Sequence, residues 1–288
     1  MGSIPSVAGH VSGKRNELHD WDQLGYDGAN QFKEICERSS LLRTGTTILH
    51  VTDTHLGKAT GGYGSNQWPI DCSAGFEREI DAAISLGVDA VVHTGDLFHN
   101  DRNGIPGSLV GECRSQFLRL KSADISLYYI RGNHEREAGK DAWDKFERQG
   151  LATHLTGSPT QIGDNVAIYG ADYQTEDWWQ SARWKPDPTK NRFTILALHQ
   201  SLAPLSPPER AECTASDILQ RTRQNSGFTF DGIALGHPHK RSIQQVDNCS
   251  VICGEPPEQL DKRRERSPFV GLFSLNSDGL AYTRHSIS

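Results

Sequence analysis

The sequence predicts an α/β fold, with helices layered on a buried sheet core. Three observations predict it. From Thr46 onward, short β-rich runs alternate with helical stretches. Polar residues gather at the ends of those runs. After His239 the alternation gives way to strands without helices.

The elements follow in chain order. Residues 1–45 are polar and rich in Gly, Ser and Asn, which predicts an N-terminal extension. Within it, Phe32, Ile35 and Cys36 share one helical face, so residues 29–38 are expected to form a short helix against the main domain. The main domain is expected over residues 46–288. Strands are expected at 47–52, 89–94, 126–130, 166–170, 193–198 and 232–235. Helices are expected between them at 72–86, 107–121, 140–149, 177–182 and 215–222. Residues 241–246, 250–252, 269–276 and 280–286 read as a closing antiparallel set, with Ser277-Asp278-Gly279 as a hairpin turn. The Pro-rich run 204–208 reads as a surface loop, and no internal repeat is visible.

Composition bounds the class. The chain has 288 residues, 35% hydrophobic and 23% charged, as in an ordinary globular protein. Its net charge of -6 is no general invitation to nucleic acid, although bound divalent cations would offset part of it. No apolar run approaches the roughly 18 residues needed to span a bilayer. Residues 1–15 lack the apolar core of a signal peptide, so a cytoplasmic protein is expected. The six cysteines are scattered without CxxC pairs, which disfavours disulfides. Cys249 and Cys253 lack a second pair to complete a zinc site and read as buried thiols.

The chemistry lies at the strand ends. Asp53-Thr54-His55 follows the first strand and Gly95-Asp96 the second. Gly132-Asn133-His134-Glu135 follows the third, His199 the 193–198 run, and Gly236-His237-Pro238-His239 the 232–235 run. In open α/β sheets ligands bind beyond the carboxyl ends of the strands. Singly, each motif has an ordinary explanation: an Asx-turn, a Gly-Asp turn, a capping histidine. Gly-His-x-His is the best single item, because two imidazoles two residues apart on an extended segment point the same way. Together, five strand ends delivering Asp, Asn and His to one rim point to two cations. A pair about 3.5–4 Å apart needs a bridging carboxylate, and Asp96 is the natural bridge. The N and O donor mixture suits Mn²⁺, Fe or Zn²⁺ better than Ca²⁺ or Mg²⁺. Such a site serves phosphoester hydrolysis by an activated water.

These motifs resemble the signature of calcineurin-like metallophosphoesterases over residues 46–282. The resemblance implies a four-layer α/β/β/α sandwich of two mixed sheets. It implies one metal on Asp53, His55, Asp96 and His239, and another on Asp96, Asn133, His199 and His237. Asp53-Thr54-His55-Leu56-Gly57 and Gly95-Asp96-Leu97-Phe98-His99 are similar, more narrowly, to the Mre11/SbcD repair nucleases. That likeness implies that His134 stabilises the transition state or protonates the leaving oxygen, with His99 orienting it. Gly254-Glu255-Pro256-Pro257-Glu258 sits where those nucleases carry a Pro-Gly-Ser-rich segment. The nucleases continue into a DNA-capping domain and a segment that docks on a Rad50-type ATPase. Here fewer than about 50 residues follow His239, and their strands are needed to close the sandwich. A separate capping domain and the ATPase partner are therefore not expected.

The expected activity is that of a Mn²⁺-dependent DNA nuclease, an exonuclease or a single-strand endonuclease. A phosphatase or small-molecule phosphodiesterase is the alternative, and a catalytically silent scaffold is a third. The Gly-rich stretch 57–67 carries Lys58, Tyr63 and Asn66 as candidate DNA contacts, with Tyr63 placed to stack on a base. Arg263 and Arg264 lie in the one dense basic run and could meet backbone phosphates. Trp178, Trp179 and Trp184 offer either a stacking surface or buried packing. Leu109, Val110, Cys113, Phe117 and Leu120 form a helix face that either joins two copies or covers the sheet.

Overall fold

The computed structural model describes residues 45–99, 104–135, 137–174, 177–189, 192–260 and 268–287. The helix expected at 29–38 and the basic residues Arg263 and Arg264 lie outside them. No helix among the described residues is long and apolar enough to cross a membrane.

Two six-stranded sheets form the centre. The first contains β1 (Gly45–Val51), β4 (Ala90–Thr94), β5 (Ser126–Ile130), β6 (Thr153–His154), β15 (Phe269–Asn276) and β16 (Gly279–Ser286). Its order is β16-β15-β1-β4-β5-β6. The second contains β7 (Thr160–Ile162), β8 (Val166–Ala171), β9 (Phe193–His199), β12 (Gly232–Gly236), β13 (Ser242–Val246) and β14 (Cys249–Cys253). Its order is β13-β14-β12-β9-β8-β7. The inner strands β1, β4 and β5 run parallel, as do β8, β9, β12 and β14. Of the late strands, β15 on β1, β16 on β15 through the turn at Asp278, and β13 on β14 pair antiparallel as expected, whereas β14 joins β12 in parallel and so extends the inner set.

Three apolar layers hold the sheets. Ile48, Val92 and Phe273 of the first sheet meet Ile168, Ile195 and Ile252 of the second in the central one. The outer face of the first sheet, with Leu49, Val91 and Tyr129, is covered by α1 (Cys72–Leu86), α2 (Gly107–Ser122) and α3 (Glu137–Arg148). The outer face of the second, with Leu196, Leu198 and Leu235, is covered by α5 (Ala215–Ser226), beside the short α4 (Trp178–Ser181). The result is the four-layer α/β/β/α sandwich. Helix boundaries follow local chemistry: Asp71 caps α1 by accepting from the Ala74 amide, and Thr214 caps α5 through Asp217.

Three sequence expectations resolve here. Cys113, Phe117 and Leu120 are buried against the first sheet, while Leu109 and Val110 pack on the same layer and stay partly exposed. Trp184 is buried beside Tyr169 and Phe230, and Trp178 and Trp179 pack on the same layer. The stretch 57–67 is not a plain loop. It builds the hairpin of β2 (Thr60–Tyr63) and β3 (Asn66–Pro69). The Trp68 ring covers Gly61 and Gly62, its Nε1 donates to the Gln259 carbonyl at 3.0 Å, and the Gly62 amide donates to Leu260. Hydrogen bonding anchors this hairpin to the 259–260 segment.

Candidate metal centre

Parallel pairing sets the site. Because β1, β4 and β5 run side by side, as do β9 and β12, the residues after each strand emerge on the same rim. The loops after β1 and β4 are then laced together. The amides of Asp53, His55 and Leu56 donate to the carbonyls of Gly95, Asp96 and Leu97, and that of His99 returns to Leu56. Thr94 and Gly95 in turn meet the second sheet, where His199 Nδ1 lies 2.7 Å from the Thr94 carbonyl.

The backbone at the rim is unusual. Asp53, His55, Asp96, His237 and His239 all have φ between 50° and 91°. Such residues persist only where the surroundings force them. Close packing does so: a Cβ on Gly132 would lie 2.1 Å from Asp96 Oδ1, and one on Gly236 would lie 2.2 Å from Thr52 Oγ1. The Gly-His-x-His segment is therefore not extended, as its spacing suggested. Left-handed turns send its two rings apart. His237 Nδ1 reaches Asn133 Oδ1 at 2.9 Å, while His239 Nε2 reaches His55 Nε2 at 3.1 Å and Asp53 Oδ1 at 3.3 Å.

Two abutting donor sets result. One gathers Asp53, His55 and His239; the other gathers Asp53, Asp96 and His199, each within 4.8 Å. Asp96 Oδ2 lies 3.6 Å from His55 Nε2 and 3.3 Å from His199 Nε2, so it stands between them. Asn133 Oδ1 sits 3.2 Å from His199 Nε2. All seven sequence-predicted donors are thus brought together.

The electrostatics call for a cation. Asp53 and Asp96 are 0% and 1% exposed. Burial opposes their ionisation, but the neighbouring histidines outweigh it: His239, His199 and His55 at Asp53, and His199 and His55 at Asp96. Both carboxyls are held below the usual carboxylate range. His55 is also lowered, chiefly by burial, to about 3, which keeps its ring neutral. Burial also disfavours the charged form of His199, yet Asp96 and Asp53 raise it to about 9. A carbonyl only accepts, so His199 Nδ1 carries a proton toward Thr94 and its Nε2 is turned to Asp96 and Asn133. Buried carboxylates facing imidazole and amide donors are what divalent N/O-binding metals require.

His134 stands at the rim, about one third exposed. Its amide donates to Asp96 Oδ1 at 2.9 Å and its Nδ1 contacts the His99 main-chain carbonyl. His99 stacks on it at 5.3 Å, while His99 Nδ1 lies 3.3 Å from His55 Nδ1. The polar contact from His99 to His134 is thus made through the main chain. Burial, followed by Lys58 and His134, lowers His99 to about 4. Lys58 begins the turn out of the His55 loop, with its amide on the His55 carbonyl. Asn66 is exposed on the hairpin, and Tyr63 pairs with it through the backbone.

Two acids escaped sequence reasoning. Glu135 accepts from the amides of Asp96, Gly132 and Phe98 at 2.9, 2.6 and 3.1 Å and so ties the β4 and β5 loops together. Its signal was its place in Gly-Asn-His-Glu. Glu79 lies in α1 under the first donor loop, with Thr54 Oγ1 3.2 Å from its Oε2. Thr54 also meets His93 Nε2 at 3.0 Å, and His93 Nδ1 accepts the Gly95 amide. An acid between the apolar Phe76 and Ile80 was the available clue.

A sandwich of this kind with paired N/O donor sets on its rim defines a metal-dependent phosphoester hydrolase. The sequence profile described as calcineurin-like phosphoesterase matches residues 46–241, and the chain belongs to that family. It is 34% identical to the DNA double-strand break repair protein Mre11 of Haloferax volcanii, over 84% of this chain and 52% of that protein. It is 31% identical to the Mre11 of Methanosarcina mazei, over 83% of this chain and 38% of the relative. The chain thus spans about half or less of these relatives. Among solved structures, a dimetal phosphatase from Danio rerio shares the fold at TM-score 0.54 and 11% identity, covering 85% of this chain and all of that one.

Proposed function

We propose that the chain is a two-metal phosphodiesterase acting on DNA, an exonuclease or single-strand endonuclease of Mre11/SbcD type using Mn²⁺. One observation carries it: a buried double donor set with a histidine held at its open rim. One cation would sit on Asp53, His55, Asp96 and His239, and the other on Asp96, Asn133, His199 and His237. When bound, the pair supplies Lewis-acid polarisation of a phosphoryl oxygen and a water of lowered pKa.

The chain's own residues do the rest. Asp96 stands between His55 and His199 and fixes His134 through its amide. With Nδ1 engaged by the His99 carbonyl, His134 Nε2 is the nitrogen left to hand a proton to the departing sugar oxygen. Lys58, in the turn out of the His55 loop, would meet a phosphate of the strand. The double-strand-break repair names of the relatives favour DNA over a small ester as the substrate.

The test is a paired assay of labelled single-stranded DNA and a bis-aryl phosphodiester, with and without Mn²⁺. Mn²⁺-dependent cleavage of both is expected. Turnover of the small ester alone, with DNA intact at high enzyme concentration, would reject the nuclease and leave a phosphatase or small-molecule phosphodiesterase.

A further inference from the structure

An apolar pocket of about 220 Å³ opens beside the histidine cluster. Leu56, Phe98, Ile105, Pro106 and Leu109 line it, and His99 is its one ionisable wall among the described residues. The same His99 ring lies 5.3 Å from those of His55 and His134. The pocket and the phosphoryl site are therefore separated by a single imidazole.

Its walls are built rather than incidental. Leu56 and Phe98 form a parallel bridge, fastened by the Leu56 amide on Leu97 and the His99 amide on Leu56. Across from them Leu109 stands on the first turn of α2. A Cβ on Gly57 would press on Leu109 at 3.3 Å, so the glycine leaves that side open.

Nothing in the phosphoryl chemistry uses this space, and among the described residues no carboxylate or amide side chain lines it. We infer that it is a base-binding subsite, taking one nucleobase of the strand whose phosphodiester is under attack. Size and position support this. The volume is below the roughly 300–1,000 Å³ of pockets for drug-sized ligands, which suits a single ring system. Aliphatic and aromatic walls suit the faces of a base, whichever base it is. A base hangs one sugar from its phosphate, so a phosphate at the donor sets brings a neighbouring base to the far side of His99. The inference rests on the nuclease proposal.

The experiment uses a short single strand with one phosphodiester, its other linkages being uncharged methylphosphonates. Two counterparts each lack one base, on either side of the cleavable bond. With Mn²⁺, one abasic strand is expected to lose about 10- to 100-fold in kcat/KM, as one stacked base commands. Leu109→Trp, which fills the pocket, should cost the intact strand a similar factor and remove the penalty for that missing base. Ile105→Trp fills it from another wall and serves if Leu109→Trp loses metal or melts early. Equal cleavage of all three strands by the unaltered chain, or losses that multiply in the Trp variants, would overturn the subsite alone. Failure to cleave any strand, with the bis-aryl ester still turned over, would overturn the nuclease proposal and the subsite with it.

Discussion

His55 Nε2 and His239 Nε2 face each other across 3.1 Å, with Asp53 Oδ1 3.3 Å from the second. Two imidazole nitrogens at that distance can share one proton or one cation. Burial keeps His55 from carrying the proton, because its pKa falls to about 3. A divalent ion resolves the pair.

Metal should therefore stabilise the fold. At about 100 times Kd a ligand adds roughly 2.7 kcal/mol, and a domain of this size gains about 2–4 °C per kcal/mol. Thermal melts are expected to rise about 5–10 °C on adding Mn²⁺ to chelated protein. His239→Ala should lose most of that rise and about one ion per chain by metal analysis. A melt indifferent to Mn²⁺ would remove the metal centre.

His134 separates chemistry from binding. His134→Ala should lower turnover by about 10²- to 10⁴-fold, the usual scale for a lost proton donor, with metal content intact. Parallel loss of metal and activity would make it a ligand or a structural residue instead.

Glu79 reaches the centre through Thr54. Burial raises its pKa well above the carboxylate range, and its Oε1 has no hydrogen-bond partner among the described residues. Glu79→Gln keeps an acceptor for Thr54 and should bind metal nearly as well. Glu79→Leu should weaken Mn²⁺ about 10- to 100-fold, as outer-shell losses do. Calorimetric titration distinguishes the two; equal affinities would leave Glu79 without a positioning role.

Acid should loosen the fold through His50. It is buried between Thr94 Oγ1, 2.9 Å from Nε2, and the Tyr282 hydroxyl, 3.3 Å from Nδ1, and burial lowers its pKa to about 4. The unfolded chain, with an ordinary histidine near 6.5, binds the proton first. Stability is therefore lost as pH falls from about 6.5 to 4, by roughly 3 kcal/mol from this residue. Urea titrations in chelator across that range should show the loss, and His50→Gln should remove this residue's share of it. An unchanged slope would place the proton uptake elsewhere.

The inner strands and donors were legible because parallel strands expose the same end, and each donor lies at its strand's end or within four residues of it. Helix lengths were legible where apolar residues recur on one face, as in α1. The hairpin at Thr60–Pro69 was not, because its partner is Gln259, almost 200 residues away, and its glycines carry no strand signal. Glu135 and Glu79 were missed for a related reason: each acts on atoms its neighbours in sequence do not reveal. The opposed turns at His237 and His239 contradicted a rule for extended chain that this segment does not obey.

Those left-handed turns also limit how the site could be re-engineered. Asp and His, with Asn, are the non-glycine residues that best tolerate positive φ. The five donors at such positions are all Asp or His. Each was thus suited twice, once by its lone pair and once by its backbone. Recruiting a softer metal by placing Cys there would meet resistance from the main chain before coordination chemistry was consulted. Asn133 and His199, which lack that constraint, are the donors at which the metal preference of this centre is most open to revision.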